Sequence, residues 1–213
     1  MFSGIIKEKG KIMSIRLNFD NGDVCVYIPE SSKYAYVGQS ISVDGVCLTV
    51  KNITKKTACF DFTPETFNKS TLKYMKNGDI VNIEPALSIN ADISGHFVLG
   101  HVDGIGRLFL KKPYKNSYVL GINVIDNGLK KYLINKASIA VNGISLTIAD
   151  VKDSGFFTSI IPFTYINTNI ENKKPGDHFN LEFDIIEKTV LKSVEDILKD
   201  LKDRGKIFKE VFQ

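Results

Sequence analysis

Apolar and polar residues alternate in two separate stretches of the chain, around the dipeptides Asp44-Gly45 and Asn142-Gly143. Strict alternation is typical of a strand with one buried face, and these dipeptides suit tight hairpin turns because Gly accepts positive φ and Asp and Asn tolerate it. The pattern predicts β-hairpins over 40–50 and 138–148. Further runs rich in β-branched and aromatic residues predict strands over 23–28, 58–63, 80–83, 117–124, 156–161 and 179–183.

The two hairpins belong to an internal repeat. Residues 39–50 recur at 137–148, and the turn glycine is displaced by 143 − 45 = 98 positions. The same displacement relates Pro64 to Pro162 and residues 82–84 to 180–182, which indicates a tandem duplication. At the front, a two-residue slip aligns Gly4-Ile5 with Gly104-Ile105, so we expect the second copy to begin near residue 98. The strand spacing favours two small antiparallel barrels.

The last segment has a different period. Val190, Val194, Ile197 and Leu201 follow one another at steps of four, three and four, with charged residues between them. This spacing predicts a helix with one narrow apolar seam. A helix packed on its own barrel and an oligomerisation helix both fit so short a seam.

Composition places the chain among packed globular proteins, since 43% of its 213 residues are hydrophobic and 24% are charged. The net charge of +4 is mild, and the only arginines are Arg16, Arg107 and Arg204, so nucleic-acid binding is not indicated. The apolar run at the N-terminus is too short for a secretory signal or a membrane span. We therefore expect a cytoplasmic protein that does not contact membranes.

The cysteines Cys25, Cys47 and Cys59 are odd in number and lack C-x-x-C spacing. Neither a disulfide framework nor a zinc ribbon is predicted. Three free thiols in a reducing compartment are the simpler expectation.

The junction between the copies, residues 94–106, contains two of the three histidines. His96, His101 and Asp103 form a weak ligand set for a metal, because no further His or Cys lies nearby. Structural histidines or a general acid/base are favoured instead, and no metal is predicted. The glycines here follow neither G-x-G-x-x-G nor a P-loop, so binding of a nucleotide phosphate is not predicted.

Cys47 and Ser145 occupy the same position in the two copies, each two residues after the turn glycine. A lone cysteine in a strand is most often a core residue. The correspondence instead suggests two related pockets whose reactive positions carry a thiol and a hydroxyl. Asp184 stands where the first copy has Ala86; it is either a second asymmetry of the site or a solvated carboxylate at a strand end.

These motifs resemble the lumazine-binding repeat family of riboflavin synthases, in order and over essentially the whole chain. The matching elements are residues 1–6, Gly45-Val46-Cys47-Leu48-Thr49-Val50, Pro64-Glu65-Thr66, residues 95–104, Gly143-Ile144-Ser145-Leu146-Thr147 and Ile161-Pro162. The resemblance implies a mainly β fold of tandem six-stranded antiparallel Greek-key barrels with a C-terminal α-helix. It divides the chain into a first lumazine-binding barrel at 1–97, a second at 98–188 and an oligomerisation helix at 189–213.

The resemblance also implies a reaction without cofactors. Two molecules of 6,7-dimethyl-8-ribityllumazine dismutate by transfer of a four-carbon unit, which gives riboflavin and 5-amino-6-ribitylamino-uracil. In such a family the partners are the lumazine, two further copies of the chain in a homotrimer with the active site between subunits, and lumazine synthase. Which barrel holds the donor, and which group removes the C7 methyl proton, stay open.

Carried over by motif, the catalytic candidates are His101 as acid/base, Cys47 and Ser145 beside the reacting carbons, and Asp184 to orient or shuttle a proton. The substrate-binding candidates are Phe2, Gly4, Ile5, Ile6, Cys47, Leu48, Thr49, Asp61, Phe62, Thr63, Pro64, Glu65, Thr66, Gly100, His101, Val102, Lys136, Ser145, Leu146, Thr147, Ser159, Ile160, Ile161, Pro162, Phe163 and Thr164. The chain departs from the family pattern at Ser94, Leu99, Phe163 and Asn169, which we expect to alter ligand contacts in the second pocket.

Two other functions compete with catalysis. A non-catalytic lumazine or flavin carrier would keep the barrels, but such carriers lose reactive positions and here both repeats retain them. A pair of barrels that binds single-stranded nucleic acid is disfavoured by the scarcity of Arg and of aromatic residues between basic ones. Incubation with the lumazine alone distinguishes a carrier, which leaves it unchanged, from an enzyme, which converts it to riboflavin.

Overall fold

The structure, a computed structural model, describes residues 1–18, 21–152 and 155–211, with side chains described as far as residue 203. In the first half of the chain six antiparallel strands close into a barrel in the order β1-β2-β5-β4-β3-β6. The strands are β1 Glu8–Leu17, β2 Gly22–Tyr27, β3 Ser40–Val43, β4 Val46–Thr54, β5 Thr57–Phe62 and β6 Ile80–Pro85. Because β6 returns beside β3 after the β3-β4-β5 meander, the connection is a Greek key.

The predicted hairpin over 40–50 is confirmed. Asp44 and Gly45 have φ values of 48° and 80°, and Val43 pairs with Val46 on either side of this turn. The alternation of the strands directs one set of side chains into the barrel. That core consists of Ile12, Val24, Val26, Ile28, Ile41, Val43, Val46, Leu48, Val50, Ala58, Phe60, Phe62, Leu72, Val81 and Ile83.

The second half repeats this strand order with one strand interrupted, and its sheet, called the second barrel below, is not closed by strand pairing over the described residues. Its strands are β7 Gly104–Tyr114, β8 Ser117–Val124, β9 Ser138–Val141, β10 Ile144–Thr147, β11 Asp150–Lys152, β12 Gly155–Ile160 and β13 His178–Phe183. The order β10-β9-β13-β7-β8-β12-β11 leaves β10 and β11 where the first half has the single strand β4. Between these two, the Ala149 N–H donates to Phe157 O. The mainly β, duplicated fold is confirmed, and the second sheet has seven strands rather than six.

Short helical segments connect the strands and were not predicted. The helices α1 Pro64–Lys69 and α2 Pro162–Asn167 each begin at a proline, which suits the first helical position because its missing N–H is not needed there. Short 3₁₀ segments occupy Ser31–Lys33, Thr71–Tyr74, Asn127–Tyr132 and Asn169–Asn172. In each repeat one of them follows directly after the proline-initiated helix.

The alignment at the front of the repeat was wrong by four residues. The equivalent strands begin at Glu8 and Gly104, a displacement of 104 − 8 = 96. Gly4 and Gly100, also 96 apart, share the same left-handed backbone, with φ values of 77° and 78°. Gly4 therefore corresponds to Gly100 and not to Gly104.

The expectation of three free thiols was wrong for two of them. Cys25 and Cys59 are paired residues on the adjacent antiparallel strands β2 and β5, with Cα atoms 4.0 Å apart, and they form a disulfide. Residues directly opposite each other on neighbouring strands approach closely enough for this bond, although they lie 34 positions apart in sequence. Cys47 is free and partly buried.

The chain ends in the helix α3, Ile185–Val211, which begins before residue 189 where the sequence placed it. Asp184 caps the helix, since its carboxylate accepts the Ile186 N–H at 2.7 Å and its carbonyl accepts the Lys188 N–H. Residues 212 and 213 of the predicted helix lie outside the described residues. Over the part of the chain that the structure describes, no helix is both long and apolar enough to span a membrane.

Candidate functional site

Two extended arms run between the barrels, one before each repeat. Phe2, in the first arm, pairs with Val98, in the second, through N–H···O bonds of 2.7 and 3.1 Å. Both side chains are fully buried and pack with Ala140, and Cys47 lies against this cluster. The predicted proximity of Phe2 to the reactive positions thus has a structural basis, although no ligand contact follows from it.

Each arm crosses to the other barrel. The first arm places Gly4 against the second barrel, where Gly4 O accepts the Ser145 N–H at 2.8 Å. The second arm places Gly100 against the first barrel, where Gly100 O accepts the Cys47 N–H at 2.9 Å. A Cβ atom at Gly4 would lie 2.6 Å from that of Ser145, and one at Gly100 would lie 2.5 Å from that of Cys47. Cys47 and Ser145, the predicted reactive positions, are therefore equivalent in structure as well as in sequence.

A buried glutamate holds each arm. The carboxylate of Glu84 in β6 accepts N–H groups from Ser3 and Gly4 at 2.7 and 3.0 Å, and the Ser3 hydroxyl at 2.8 Å. The carboxylate of Glu182 in β13 accepts the N–H groups of Leu99 and Gly100 at 2.7 and 2.9 Å. Sequence reasoning missed both glutamates, whose only signal was their place in the repeat.

Burial raises the pKa of both carboxyl groups. The pKa of Glu182 rises to about 7, although the two N–H bonds from its arm and the ammonium group of Lys188 act in the opposite direction. The pKa of Glu84 is raised by burial against the bonds from Ser3 and Gly4. Each glutamate is thus a buried acid whose desolvation is partly offset by the N–H groups of an arm.

The predicted reactive position of the first barrel, Cys47, lines a cavity of 290 Å³. Cys47 and His101 both line this cavity, so the structure brings together two of the four catalytic candidates. Val46, Glu65, Thr66, Lys69, Ser70, Gly100 and Val102 complete its lining. A second cavity of 460 Å³ shares Cys47 and Thr66 and adds Leu48, Thr49, Val50, Lys51, Asp61, Phe62 and Thr63. Of the predicted residues between 47 and 66, all but Pro64 line one of these two cavities, whereas Phe2, Gly4, Ile5 and Ile6 line neither.

Ser145, the equivalent position of the second barrel, is hydrogen-bonded to a histidine. Its hydroxyl lies 2.7 Å from His96 Nδ1, and His96 is 8% exposed. Burial lowers the pKa of His96, while the negative charge of Asp184 acts in the opposite direction. A histidine that stays neutral near pH 7 and contacts a hydroxyl is suited to act as a general base. Sequence reasoning did not place His96 among the catalytic residues, because its partner lies 49 positions away.

The weak metal set of the sequence is divided by the fold. His96 contacts Ser145, whereas the Asp103 carboxylate accepts two bonds from Lys188 at 2.8 and 2.7 Å and the Phe183 N–H at 2.8 Å. His101 lies in the first-barrel cavity. Asp184 is at the start of α3, where it acts electrostatically on His96 rather than lining the Cys47 cavity.

The remaining candidates differ in their exposure. Ile161 and Phe163, on either side of the proline that starts α2, are 59% and 69% exposed. Phe163 stands where the first barrel has Glu65, which pairs with Lys69 at 2.8 Å. Lys136 is exposed in a left-handed turn. Ile160 is buried in the core of the second barrel, and Ile6 and Leu146 pack against that core. The side chains of Ile5, Thr147, Ser159 and Pro162 are exposed, and that of Thr164 is partly buried.

Asn169, one departure from the family pattern, lies away from the reactive positions. It is fully buried between the barrels, and its side-chain amide donates to Asp44 Oδ1 and Oδ2 at 2.9 and 3.1 Å. Its backbone N–H donates to Asn82 Oδ1 at 2.7 Å. The departure at Asn169 therefore belongs to the contact between the barrels.

Comparisons with known proteins agree with the repeat. The family model described as lumazine binding domain matches residues 3–86 and 99–184. The chain is 38% identical over 190 residues to a riboflavin synthase of Actinobacillus pleuropneumoniae, covering 89% of this chain and 88% of that protein. It is 35% identical over 188 residues to a riboflavin synthase of Bacillus subtilis (strain 168), covering 88% and 87%.

Solved structures share the fold. LumP complexed with riboflavin superposes with a TM-score of 0.80 at 23% identity, covering 86% of this chain and 99% of that one. LumP complexed with 6,7-dimethyl-8-(1'-D-ribityl) lumazine gives a TM-score of 0.77 with the same coverage.

Proposed function

The chain belongs to the lumazine binding domain family, and from this membership we propose that it is a riboflavin synthase. The reaction is the dismutation of two molecules of 6,7-dimethyl-8-ribityllumazine to riboflavin and 5-amino-6-ribitylamino-uracil. The observation that carries the proposal is the set of relatives named riboflavin synthase, which are similar over nearly their whole length. The geometry supports it, because each repeat retains its own reactive position.

Two half-sites suit a reaction between two identical molecules. One contains Cys47 and His101 around a cavity, and the other contains the hydrogen-bonded pair Ser145 and His96. Holding two heteroaromatic rings in a fixed mutual orientation converts an encounter in solution into an intramolecular step. The different side chains allow the two bound lumazines to follow different chemistry.

The second barrel is suited to removing the proton from the C7 methyl group of one lumazine. As this proton passes to Ser145 Oγ, the hydroxyl proton passes to His96 Nδ1, and the electron pair of the broken C–H bond stays on the lumazine. The lowered pKa of His96 keeps Nδ1 available to accept the proton. Asp184, through its charge, stabilises the imidazolium that forms.

The first barrel is suited to holding the other lumazine as the acceptor. The Cys47 sulfur adds to an electrophilic carbon of its ring, and the thiol proton passes to His101 in the same cavity. Later elimination of the thiol restores Cys47 as the new ring closes. His101 is exposed, so it can exchange this proton with water between turnovers.

The half-sites meet if the chain is a homotrimer, with the first barrel of one subunit against the second barrel of its neighbour. Support comes from α3, whose seam residues Val190, Val194, Ile197 and Leu201 are 48–59% exposed in the single chain. The side chains of Ile161 and Phe163, which flank the first residue of α2, are similarly exposed. A cytoplasmic location and an interaction with lumazine synthase are further parts of the proposal and rest on the family resemblance alone.

Incubation of the purified chain with the lumazine alone tests the proposal. A riboflavin synthase produces riboflavin and the uracil product in equal amounts without any added cofactor. A carrier, the competing function, retains the unchanged lumazine in a stoichiometric complex, and that result would refute catalysis.

A further inference from the structure

The crossing of the arms gives Glu84 and Glu182 an effect on the barrel to which they do not belong. Glu182 lies on β13 of the second barrel, yet the arm it holds ends on Cys47 of the first. Glu84 lies on β6 of the first barrel, yet the arm it holds ends on Ser145 of the second. We propose that the two glutamates are positioning residues, each of which fixes the reactive residue of the opposite barrel.

The contacts form two continuous chains of hydrogen bonds. In one, Glu182 accepts the Gly100 N–H at 2.9 Å, and Gly100 O accepts the Cys47 N–H at 2.9 Å. In the other, Glu84 accepts the Gly4 N–H at 3.0 Å, and Gly4 O accepts the Ser145 N–H at 2.8 Å. Each glycine thus donates its N–H to a residue of one barrel and accepts with its carbonyl oxygen from a residue of the other.

Strand pairing within each sheet connects each glutamate with the reactive residue of its own barrel instead. Glu84 pairs with Ser42 of β3, and Ser42 pairs in turn with Cys47 of β4. Glu182 is connected in the same manner to Ser145, through Ala140. A role confined to sheet packing would therefore affect the reactive residue of the same barrel. The arms direct the effect to the other one.

A carboxylate is the group that these arms require. Two successive N–H groups point at each side chain, and each of its two oxygens accepts one of them. Glutamine has one accepting oxygen, and its NH₂ group would face an N–H donor. Glu182→Gln and Glu84→Gln are therefore isosteric changes, each of which removes one of the hydrogen bonds that hold an arm.

The inference rests on the proposed function only in regarding Cys47 and Ser145 as reactive, so its test uses no substrate. Amide hydrogen exchange is measured residue by residue in the full chain, for the wild type and for both variants. Glu182→Gln should speed exchange of the Cys47 N–H by about tenfold, the change that corresponds to losing one hydrogen bond, and leave the Ser145 N–H within twofold. Glu84→Gln should do the reverse.

Rescue distinguishes positioning from general damage. Glu182→Asp keeps two accepting oxygens, so it should recover part of the Cys47 protection that Glu182→Gln loses. Exchange that accelerates in the same barrel as the substitution, or equally in both, would overturn the proposal.

The wild type offers a second test if a variant fails to fold. With increasing denaturant, the Cys47 N–H should open together with the N–H groups of Leu99 and Gly100, and the Ser145 N–H with those of Ser3 and Gly4. Opening of Cys47 together with Ser42 and Leu48 alone would contradict the proposal. A chain that shows the crossed pattern but no lumazine turnover would refute the proposed function and leave this inference intact.

Discussion

Gly100 combines a left-handed backbone, with φ at 78°, and a contact that leaves no room for a side chain. We expect Gly100→Ala to lower the free energy of unfolding by about 3–5 kcal/mol, because strain and overlap with Cys47 add. Gly38→Ala is the matched control: its φ is 93°, but no atom lies within 4 Å of the added Cβ. It should cost only about 1 kcal/mol. Equal losses in urea unfolding would refute the close approach at Gly100.

His96 gives a prediction about catalysis at the same scale. His96→Gln keeps a hydrogen-bonding side chain but removes the base, so we expect kcat for lumazine turnover to fall by about 10²–10⁴-fold. His178→Gln is the control, because His178 stacks on Tyr74 at 4.3 Å between the barrels and lies outside the proposed half-sites. Undiminished turnover in His96→Gln would remove His96 from the mechanism.

At the scale of elements, α3 presents an apolar seam that its own barrels leave exposed. Its described ion pairs with the rest of the chain, Lys188 with Asp103 and Lys131 with Glu195, lie near the start of the helix. Apolar side chains at this spacing are stabilised when they pack against the same seam of another helix. The helix is therefore expected to act between subunits.

Lysine at two seam positions tests this expectation. Val194→Lys with Ile197→Lys would bury charges between helices, so we expect sedimentation to show a monomer instead of a trimer. Lumazine turnover should fall in parallel, since the half-sites would no longer meet. Lys199→Gln, on the opposite side of the helix, should change neither property. A doubly substituted chain that remains trimeric would show that α3 does not hold the subunits together.

The strands differ in how far their sequences predict them. The hairpin at Asp44-Gly45 combines a period of two with the residues its turn requires, so local pattern sufficed. The strand β1 was missed because its register shifts between Ile12 and Ser14, and such a bulge breaks the alternation. Cys47 and Ser145 were found through the repeat. The partners of these residues, and the Cys25–Cys59 pair, depend on contacts between distant segments that no local pattern encodes.

At the scale of the whole molecule, a network of buried polar groups joins the two barrels. Asn82 Nδ2 donates to Asn142 O at 3.0 Å, and Asn180 Nδ2 donates to Asp44 O at 2.7 Å. The network is nearly symmetric between the repeats, but the first repeat has Asp44 at the position where the second has Asn142. Burial raises the pKa of Asp44 to about 6, against the charge of Lys173 and bonds from Asn82 and Asn169.

This asymmetry predicts a pH-dependent stability. Because the folded pKa of Asp44 lies above its ordinary value of 3.8, its contribution to stability is fully present below that value and is lost as the pH rises through about 6. Asp44→Asn should therefore raise the free energy of unfolding at pH 7 by about 1–3 kcal/mol and remove this part of the pH dependence.

Urea unfolding of the variant and the wild type between pH 4 and 8 measures the difference, in which other titrating groups cancel. Asn142→Asp, the mirror substitution, should destabilise the chain at pH 7. A constant difference between Asp44→Asn and the wild type over this pH range would show that Asp44 does not titrate there.

The turn glycines Gly45 and Gly143 meet face to face, and a Cβ atom on Gly45 would lie 2.6 Å from Gly143 N. At this point the separation of the barrels is set by two peptide backbones in contact, so no side-chain substitution in either core alters it directly. Since Cys47 and Ser145 follow these glycines by two residues, the same contact also fixes the distance between the half-sites of one chain.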